Sequence, residues 1–153
     1  DRLIEMFEVM AELEGMCGRL AARRITPGEL SNLRDALQRC ERAAFSGDTD
    51  DYYYENESFH NCIYAASHNA FLADEARQLK MRLKPYRRLQ LKVRHRMQSS
   101  LEEHQRIVSA IEAGDTEAAE QALRSHVLVQ GERFSDLVAS VKDLNSLREA
   151  EQA

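Results

Sequence analysis

The sequence predicts an all-α fold, an antiparallel bundle of six to seven helices. Its 153 residues include only six Gly, two Pro and no Trp, and 43% are hydrophobic and 31% charged, a composition typical of helical domains. Apolar residues recur at three- and four-residue spacing through most of the chain, as in amphipathic helices. A chain of this length forms one domain. We find no apolar run long enough to span a membrane, and the net charge of −5 gives no general reason to bind nucleic acid.

The first two helices have clear boundaries. Apolar spacing predicts a first helix over residues 3–24. Thr26, Pro27 and Glu29 then form a start signal, in which Thr26 caps the helix, proline occupies its first turn and the glutamate completes a capping box. This second helix is expected to end at Gly47.

The middle of the chain predicts two further helices. Asp48 opens a third helix that runs to about Ser67. Asn69 starts a fourth helix that is long and reaches about Met97. Pro85 lies inside it and is expected to kink it rather than end it.

The last third of the chain predicts two more helices. Ser-Leu-Glu-Glu from Ser100 onwards has the pattern of a second capping box, opening a helix that Gly114 ends. Asp115 caps the last helix, which is expected to run towards Val141. Residues 143–153 form a polar tail expected to fray.

Three histidines and an asparagine are the candidate metal ligands. His60, His104 and His126 each lie on the apolar stripe of a different helix, and Asn56 lies one turn before the first, on the same helix face. Neutral imidazoles suit Zn, Ni, Fe or Mn and leave positions open for water or a small anion. Each histidine alone is better explained as a hydrogen-bonded core residue, and only their conjunction favours a metal.

The segment 77–96 carries several basic residues and no acidic residue. One interpretation is a solvated face. The other is that Arg82 leans into the pocket and binds an anionic ligand, with Tyr86 and Gln90 on the inward face adding hydrogen bonds. Direct DNA binding by this helix is a weaker alternative.

Catalytic motifs are scarce. The sequence has no HExxH, no glycine-rich phosphate loop and no nucleophile elbow. Glu57 and His60 form a Glu-x-x-His pair, but His104 has none, so a di-iron site is not predicted. We therefore predict no enzymatic activity. Cys17, Cys40 and Cys62 are odd in number, lie far apart and form no CxxC motif. This pattern suits free thiols in a reducing, cytoplasmic location.

Five short motifs follow one another along the chain. They are Phe-Glu-Val at 7–9, Leu-Ala-Ala-Arg at 20–23, Asn-Glu-Ser-Phe-His at 56–60 with Ala-Ala-Ser-His-Asn at 65–69, Glu-His-Gln-Arg-Ile-Val-Ser-Ala-Ile-Glu-Ala-Gly-Asp at 103–115, and the stretch 118–126 that ends Leu-Arg-Ser-His. Together they resemble the FCD domain, the C-terminal effector-binding domain of FadR-type GntR transcription regulators, and the first two fit the first helix of that family.

The resemblance implies a central pocket in which Asn56, His60, His104 and His126 bind a divalent metal. It also implies a small, often carboxylate, effector, a homodimer, and DNA binding only through an N-terminal winged helix-turn-helix domain. That domain is expected to lie outside this chain, whose residues 1–142 would form the FCD domain.

Two positions depart from the family pattern. Asn56 replaces the commoner Asp, and Met10 stands where many relatives have Arg. Three hypotheses follow from the sequence: a metal-dependent sensor, a metal-independent sensor with core histidines, and a metal-dependent hydrolase.

Overall fold

The fold is entirely helical, as predicted. The computed structural model describes residues 2–93 and 95–152, with all side chains among them except six in the second half of the last helix. Within these residues it contains seven helices and no strand. The helices are α1 (Arg2–Arg24), α2 (Pro27–Ser46), α3 (Thr49–Ala66), α4 (Ala70–Arg82), α5 (Lys84–Gln90), α6 (Arg96–Glu112) and α7 (Thr116–Gln152).

The capping residues confirm most of the predicted helix starts. The Thr26 hydroxyl accepts from the Glu29 backbone N–H at 3.2 Å, and the Glu29 carboxylate accepts from the Thr26 N–H at 3.0 Å. Asp48, Asn69 and Asp115 accept backbone N–H bonds in the same way at the starts of α3, α4 and α7. Each cap satisfies donors that the first helical turn leaves unpaired.

Two predicted boundaries in the middle of the chain are wrong. The long fourth helix is divided, because α4 ends at Arg82 and the short α5 carries Pro85 in its first turn, where the missing N–H of proline costs nothing. The predicted capping box at Ser100 lies inside a helix, since α6 already begins at Arg96 after His95 in a left-handed conformation. The Ser100 hydroxyl instead accepts a bond from the buried Tyr52 hydroxyl at 2.8 Å.

The C-terminal helix is longer than predicted. α7 does not end near Val141 but continues to Gln152. α1 packs mainly along α7, while α3 and α6 pack on α2. α1 and α7 approach closely because Gly15 and Gly18 face the α7 side chains without a Cβ.

The buried core extends along these contacts. It contains Phe7 and Met10 of α1, Leu33 of α2, Ile107 of α6 and Leu123 of α7 among others. Among the described residues, none of the helices is both long enough and apolar enough to cross a membrane.

Candidate metal centre

Three helices bring one histidine each to a common point in the interior. His60 is on α3, His104 on α6 and His126 on α7, and all three are buried. Their ring centroids are 5.0–5.4 Å apart, and one nitrogen of each lies within 4.8 Å of the others. The helical spacing that predicted inward positions is thereby confirmed, and the structure adds that the three rings meet.

Two carboxylates orient two of these rings. The Nδ1 of His60 lies 2.6 Å from Glu14 Oε1, and the Nδ1 of His126 lies 2.6 Å from Glu103 Oε1. Each ring donates its Nδ1–H to the carboxylate, which leaves Nε2 with a lone pair. A carboxylate behind the outer nitrogen is the usual arrangement around metal-binding histidines, because it fixes the tautomer and makes the inner nitrogen more basic.

Three buried polar atoms of His104 and Asn56 have no hydrogen-bond partner. Neither ring nitrogen of His104 forms a hydrogen bond, nor does the Oδ1 of Asn56, and all three atoms are buried. The His104 ring is stacked on Phe59, with centroids 4.2 Å apart and planes 16° apart. Buried polar atoms are nearly always paired. These nitrogen and oxygen atoms are of the kinds that coordinate a metal ion, so they fit a metal site.

Gln130 contacts the third histidine, and Gln90 contacts Gln130. The Gln130 side-chain amide donates to His126 Nε2 at 3.1 Å, and the Gln90 amide donates to the Gln130 carbonyl. His126 is therefore the one histidine of the three whose inner nitrogen has a protein partner. Gln90 is buried, as its predicted inward position requires, and its amide nitrogen donates to the Gln130 backbone carbonyl of α7. Its contact with an effector stays a prediction.

The electrostatic environment keeps the three imidazoles neutral. Burial lowers the pKa of His60 to about 3, and it also lowers the pKa values of His104 and His126. Burial raises the pKa of Glu103, but hydrogen bonds from His126 and Arg96 outweigh it and bring the pKa to about 2. Neutral imidazole is the form that binds metal.

Buried cations lie near the site, but they are not the predicted one. Arg82 is exposed, so its guanidinium does not lean into the interior, and Tyr86 is 38% exposed. Lys80 of α4 and Arg87 of α5 are instead 5% and 7% exposed. Lys80 continues the buried α4 positions Leu72, Ala73 and Ala76, a spacing the sequence already displayed.

Glu14 and Glu103 contact two of the candidate metal ligands, and the sequence analysis selected neither of them. Glu14 falls on the buried face of α1, four residues after Met10 and three before Cys17. An acidic residue at this spacing within an apolar stripe is the signal that could have identified it. Glu103 is also paired with the buried Arg96 at 2.9 and 3.0 Å.

A cleft between α6 and α7 touches the centre at His126. It has a volume of about 570 Å³, and its wall includes His126 together with Ser99, Arg106, Ser125 and Arg133. His60 and His104 are not part of its wall.

Comparison with known protein families identifies the family of this chain. The sequence profile of the FCD domain matches residues 5–128. The chain belongs to the FCD domain family. The match contains all four predicted metal ligands and both carboxylates behind them.

Relatives of the chain are transcription regulators. It is 30% identical over 131 residues to the Escherichia coli "Putative L-lactate dehydrogenase operon regulatory protein", covering 83% of this chain and 49% of that protein. It is 30% identical over 134 residues to the Paenarthrobacter nicotinovorans "Probable D-xylose utilization operon transcriptional repressor", covering 82% and 54%. The chain thus spans about half the length of these relatives.

Solved structures show the same fold. E. coli McbR/YncC superposes with a TM-score of 0.79 at 23% identity, over 88% of this chain and 64% of that chain. A GntR protein of Streptococcus agalactiae superposes with a TM-score of 0.74 at 25% identity, over 87% and 60%.

Proposed function

We propose that this FCD domain is the sensing and dimerising part of a GntR/FadR-type transcription regulator, and that it binds a divalent metal together with a small carboxylate effector. The observation that carries the proposal is the convergence of His60, His104 and His126, with ligand nitrogens within 4.8 Å of one another. The family membership and the regulatory relatives support the role in transcription.

The metal would be held by these three histidines and by Asn56. Neutral imidazoles accept Zn, Ni, Mn or Fe, and the amide oxygen of Asn56 is a weaker donor than the carboxylate common in the family. When bound, the metal supplies positive charge and open positions that attract an anion. The protein orients His60 and His126 through Glu14 and Glu103.

Regulation would follow from linkage between the effector and the DNA-binding state. An effector that binds one arrangement of the helices better than another shifts the population of dimers. A coupling of roughly 1–3 kcal/mol changes operator affinity about 5–150-fold. The DNA contact would be made by a domain outside residues 1–153, and a protein acting on bacterial DNA works in the cytoplasm.

A metal-independent sensor is the second candidate. It is favoured by the Gln130 amide, which gives His126 Nε2 a protein partner at 3.1 Å. The unpaired nitrogens of His104 argue against it. A metal-dependent hydrolase has less support, because the carboxylates next to the histidines, Glu14 and Glu103, are both engaged by imidazoles.

Metal content tests the proposal. We expect purified protein to contain about one metal ion per chain by elemental mass spectrometry, and to lose it on dialysis against chelator. His104→Ala and His126→Ala should lose the metal and remain folded by circular dichroism. His68→Ala is the matched control, because the His68 side chain is exposed and, among the described contacts, hydrogen-bonds only to Glu29.

The outcomes separate the candidates. Full metal content in both His104→Ala and His126→Ala would show that the metal site is misassigned. If chelation changes neither the melting temperature nor carboxylate binding, the sensor is metal-independent. Sustained metal-dependent hydrolysis by the pure protein would overturn the sensor proposal.

A further inference from the structure

One side of α4 faces solvent in the part of the chain that the structure describes. Its buried residues lie on the side that packs against α1 and α3. Beyond its first residue, α4 exposes six others, which fall within one arc of about 120° around the helix, at 3.6 residues per turn. These six residues, here called the α4 face, are Phe71, Asp74, Glu75, Gln78, Met81 and Arg82.

The α4 face carries a large apolar side chain near each end. Phe71 is 77% exposed and Met81 is 73% exposed. Burying both against a partner is favourable, because apolar surface then leaves water. Single exposed apolar residues are common on soluble proteins, so the charged residues between them decide which partner the face fits.

The charges of the α4 face follow a definite order. Asp74 and Glu75 lie in its first half, and Arg82 lies at its end. Among the described contacts, Glu75 and Arg82 form no ion pair, and Asp74 is paired only with Arg77 of its own helix, at 3.5 Å. The face therefore has an acidic half and a basic end, both available to a partner.

A second α4 face laid antiparallel on the first matches this order. A two-fold axis through the middle of the face brings Glu75 opposite the partner's Arg82 and Phe71 close to the partner's Met81. The midpoints of these two pairs lie within three residues of each other, which is roughly 4 Å along a helix. One axis therefore brings both pairs within side-chain reach, and each contact occurs twice, as in every isologous dimer.

A groove beside α4 can receive the partner's apolar side chain. It lies between α4 and the end of α3, has a volume of about 420 Å³, and includes Ala70 and Ala73 in its wall. With the axis near Arg77, the partner's Met81 lies at the height of Ala73. Side chains of one helix entering the groove beside another is the usual mode of helix packing.

We propose that the α4 face is the contact surface between two copies of this chain, with the two α4 helices antiparallel about a two-fold axis. This inference rests on the proposed function, which includes dimerisation without naming a surface. The order of charges favours a second copy over a different protein, because the face is complementary to itself. A stable interface buries more surface than one helix face offers, so the α3 residues that border the groove also belong to the contact.

Charge exchange across the axis tests the pairing. Sedimentation velocity at several concentrations measures the dimer dissociation constant of the 153-residue protein. Glu75→Arg and Arg82→Glu should each weaken the homodimer about tenfold, because each change replaces two attractions with two repulsions. An equimolar mixture of the two variants should regain wild-type affinity as a heterodimer, since every changed charge then meets its opposite.

Apolar substitutions test the same surface without charge. Phe71→Ser and Met81→Ser should each weaken the dimer roughly tenfold or more, because each removes apolar burial on both sides of the axis. Phe45→Ser is the matched control, since Phe45 is 96% exposed on α2, and it should leave the dissociation constant within about twofold. Circular dichroism should show all these variants folded, because the substituted side chains are exposed.

The outcomes separate the surface from the proposed function. A wild-type dimer whose affinity is unchanged in Glu75→Arg, Arg82→Glu and Met81→Ser would overturn the α4 face and leave dimerisation standing. A mixture that forms no heterodimer would overturn the antiparallel pairing. A wild-type protein that stays monomeric at every concentration would overturn the dimerising role itself. Metal content, which these surface changes should leave at the wild-type level, reports separately on the histidine centre.

Discussion

Replacing His104 by leucine should stabilise the metal-free protein. Both nitrogens of this ring are buried without partners, and an unsatisfied buried polar group costs roughly 1–3 kcal/mol. Leucine has a similar volume to histidine, and a substitution that conserves volume costs less than about 1.5 kcal/mol. The leucine side chain would pack between Phe59 and Tyr52, which flank the ring. We therefore expect the free energy of unfolding in chelator to rise by about 1 kcal/mol.

The same substitution should abolish stabilisation by metal. A ligand present at a thousand times its Kd stabilises the folded state by about 4.1 kcal/mol. The free energy of unfolding of the wild-type protein should rise by about this amount when zinc is added. That of His104→Leu should rise little. The ranking of the two proteins therefore reverses between chelator and zinc.

Urea unfolding followed by far-ultraviolet circular dichroism measures both effects at neutral pH. At this chain length, 1 kcal/mol corresponds to roughly 2–4 °C in melting temperature, which gives a second readout. His68→Leu is the control: it removes the exposed contact with Glu29 in both conditions, so it should leave the difference between zinc and chelator unchanged. A His104→Leu protein several kcal/mol less stable than wild type in chelator would refute the reasoning, because the ring would then have partners that the structure lacks.

Two further predictions concern pH and packing. The pKa values of the three buried histidines are lower in the folded state than in the unfolded chain. Their contribution to stability is therefore fully present above about pH 6.5 and is lost as the pH falls below it. The loss is up to about 1.4 kcal/mol per pH unit for each histidine. Urea titrations in chelator between pH 7.5 and 5 measure this slope, and a flat profile would contradict the burial. Gly18→Ala places a Cβ 2.2 Å from a Leu123 methyl and 3.1 Å from the Ala119 carbonyl, so it should destabilise the α1–α7 contact by about 1–3 kcal/mol. Gly28→Ala, with open space around its Cβ, should be neutral or slightly stabilising, and equal effects of the two would show that the close approach is wrong.

Periodicity predicted the part of the site that lies on long, regular helices. His60, His104 and His126 fall on stripes whose other members are clearly apolar, so the helix phase is determined over several turns. All three are buried, as is Asn56. Periodicity fixes which face a residue occupies, but it does not show that three faces meet at one height of the bundle. That depends on helix crossing, which the sequence does not encode locally.

The positions of Tyr86 and Arg87 were mispredicted because the helix phase is lost where α4 ends, whereas Arg82 and Lys80 lie before that point. The prediction assumed one continuous helix from Asn69 to Met97. In such a helix the inward positions after Pro85 follow from the inward positions before it. The actual interruption at Leu83 rotates the later residues, which buries Arg87 and exposes Tyr86. A run of basic residues also favours a solvated face, since unpaired buried cations are rare.

The location of the polar groups suggests how binding would reach the rest of the domain. Glu14 is on α1, His60 on α3, Lys80 on α4, Arg87 on α5 and the remaining two histidines on α6 and α7. A metal held by the three histidines would join α3, α6 and α7 directly, and α1 through the contact of Glu14 with His60. Its binding free energy would depend on the relative positions of these four helices, so a ligand that prefers one arrangement biases the bundle. A polar interior that is unsatisfied without ligand lowers stability, but it makes the packing of the domain responsive to what is bound.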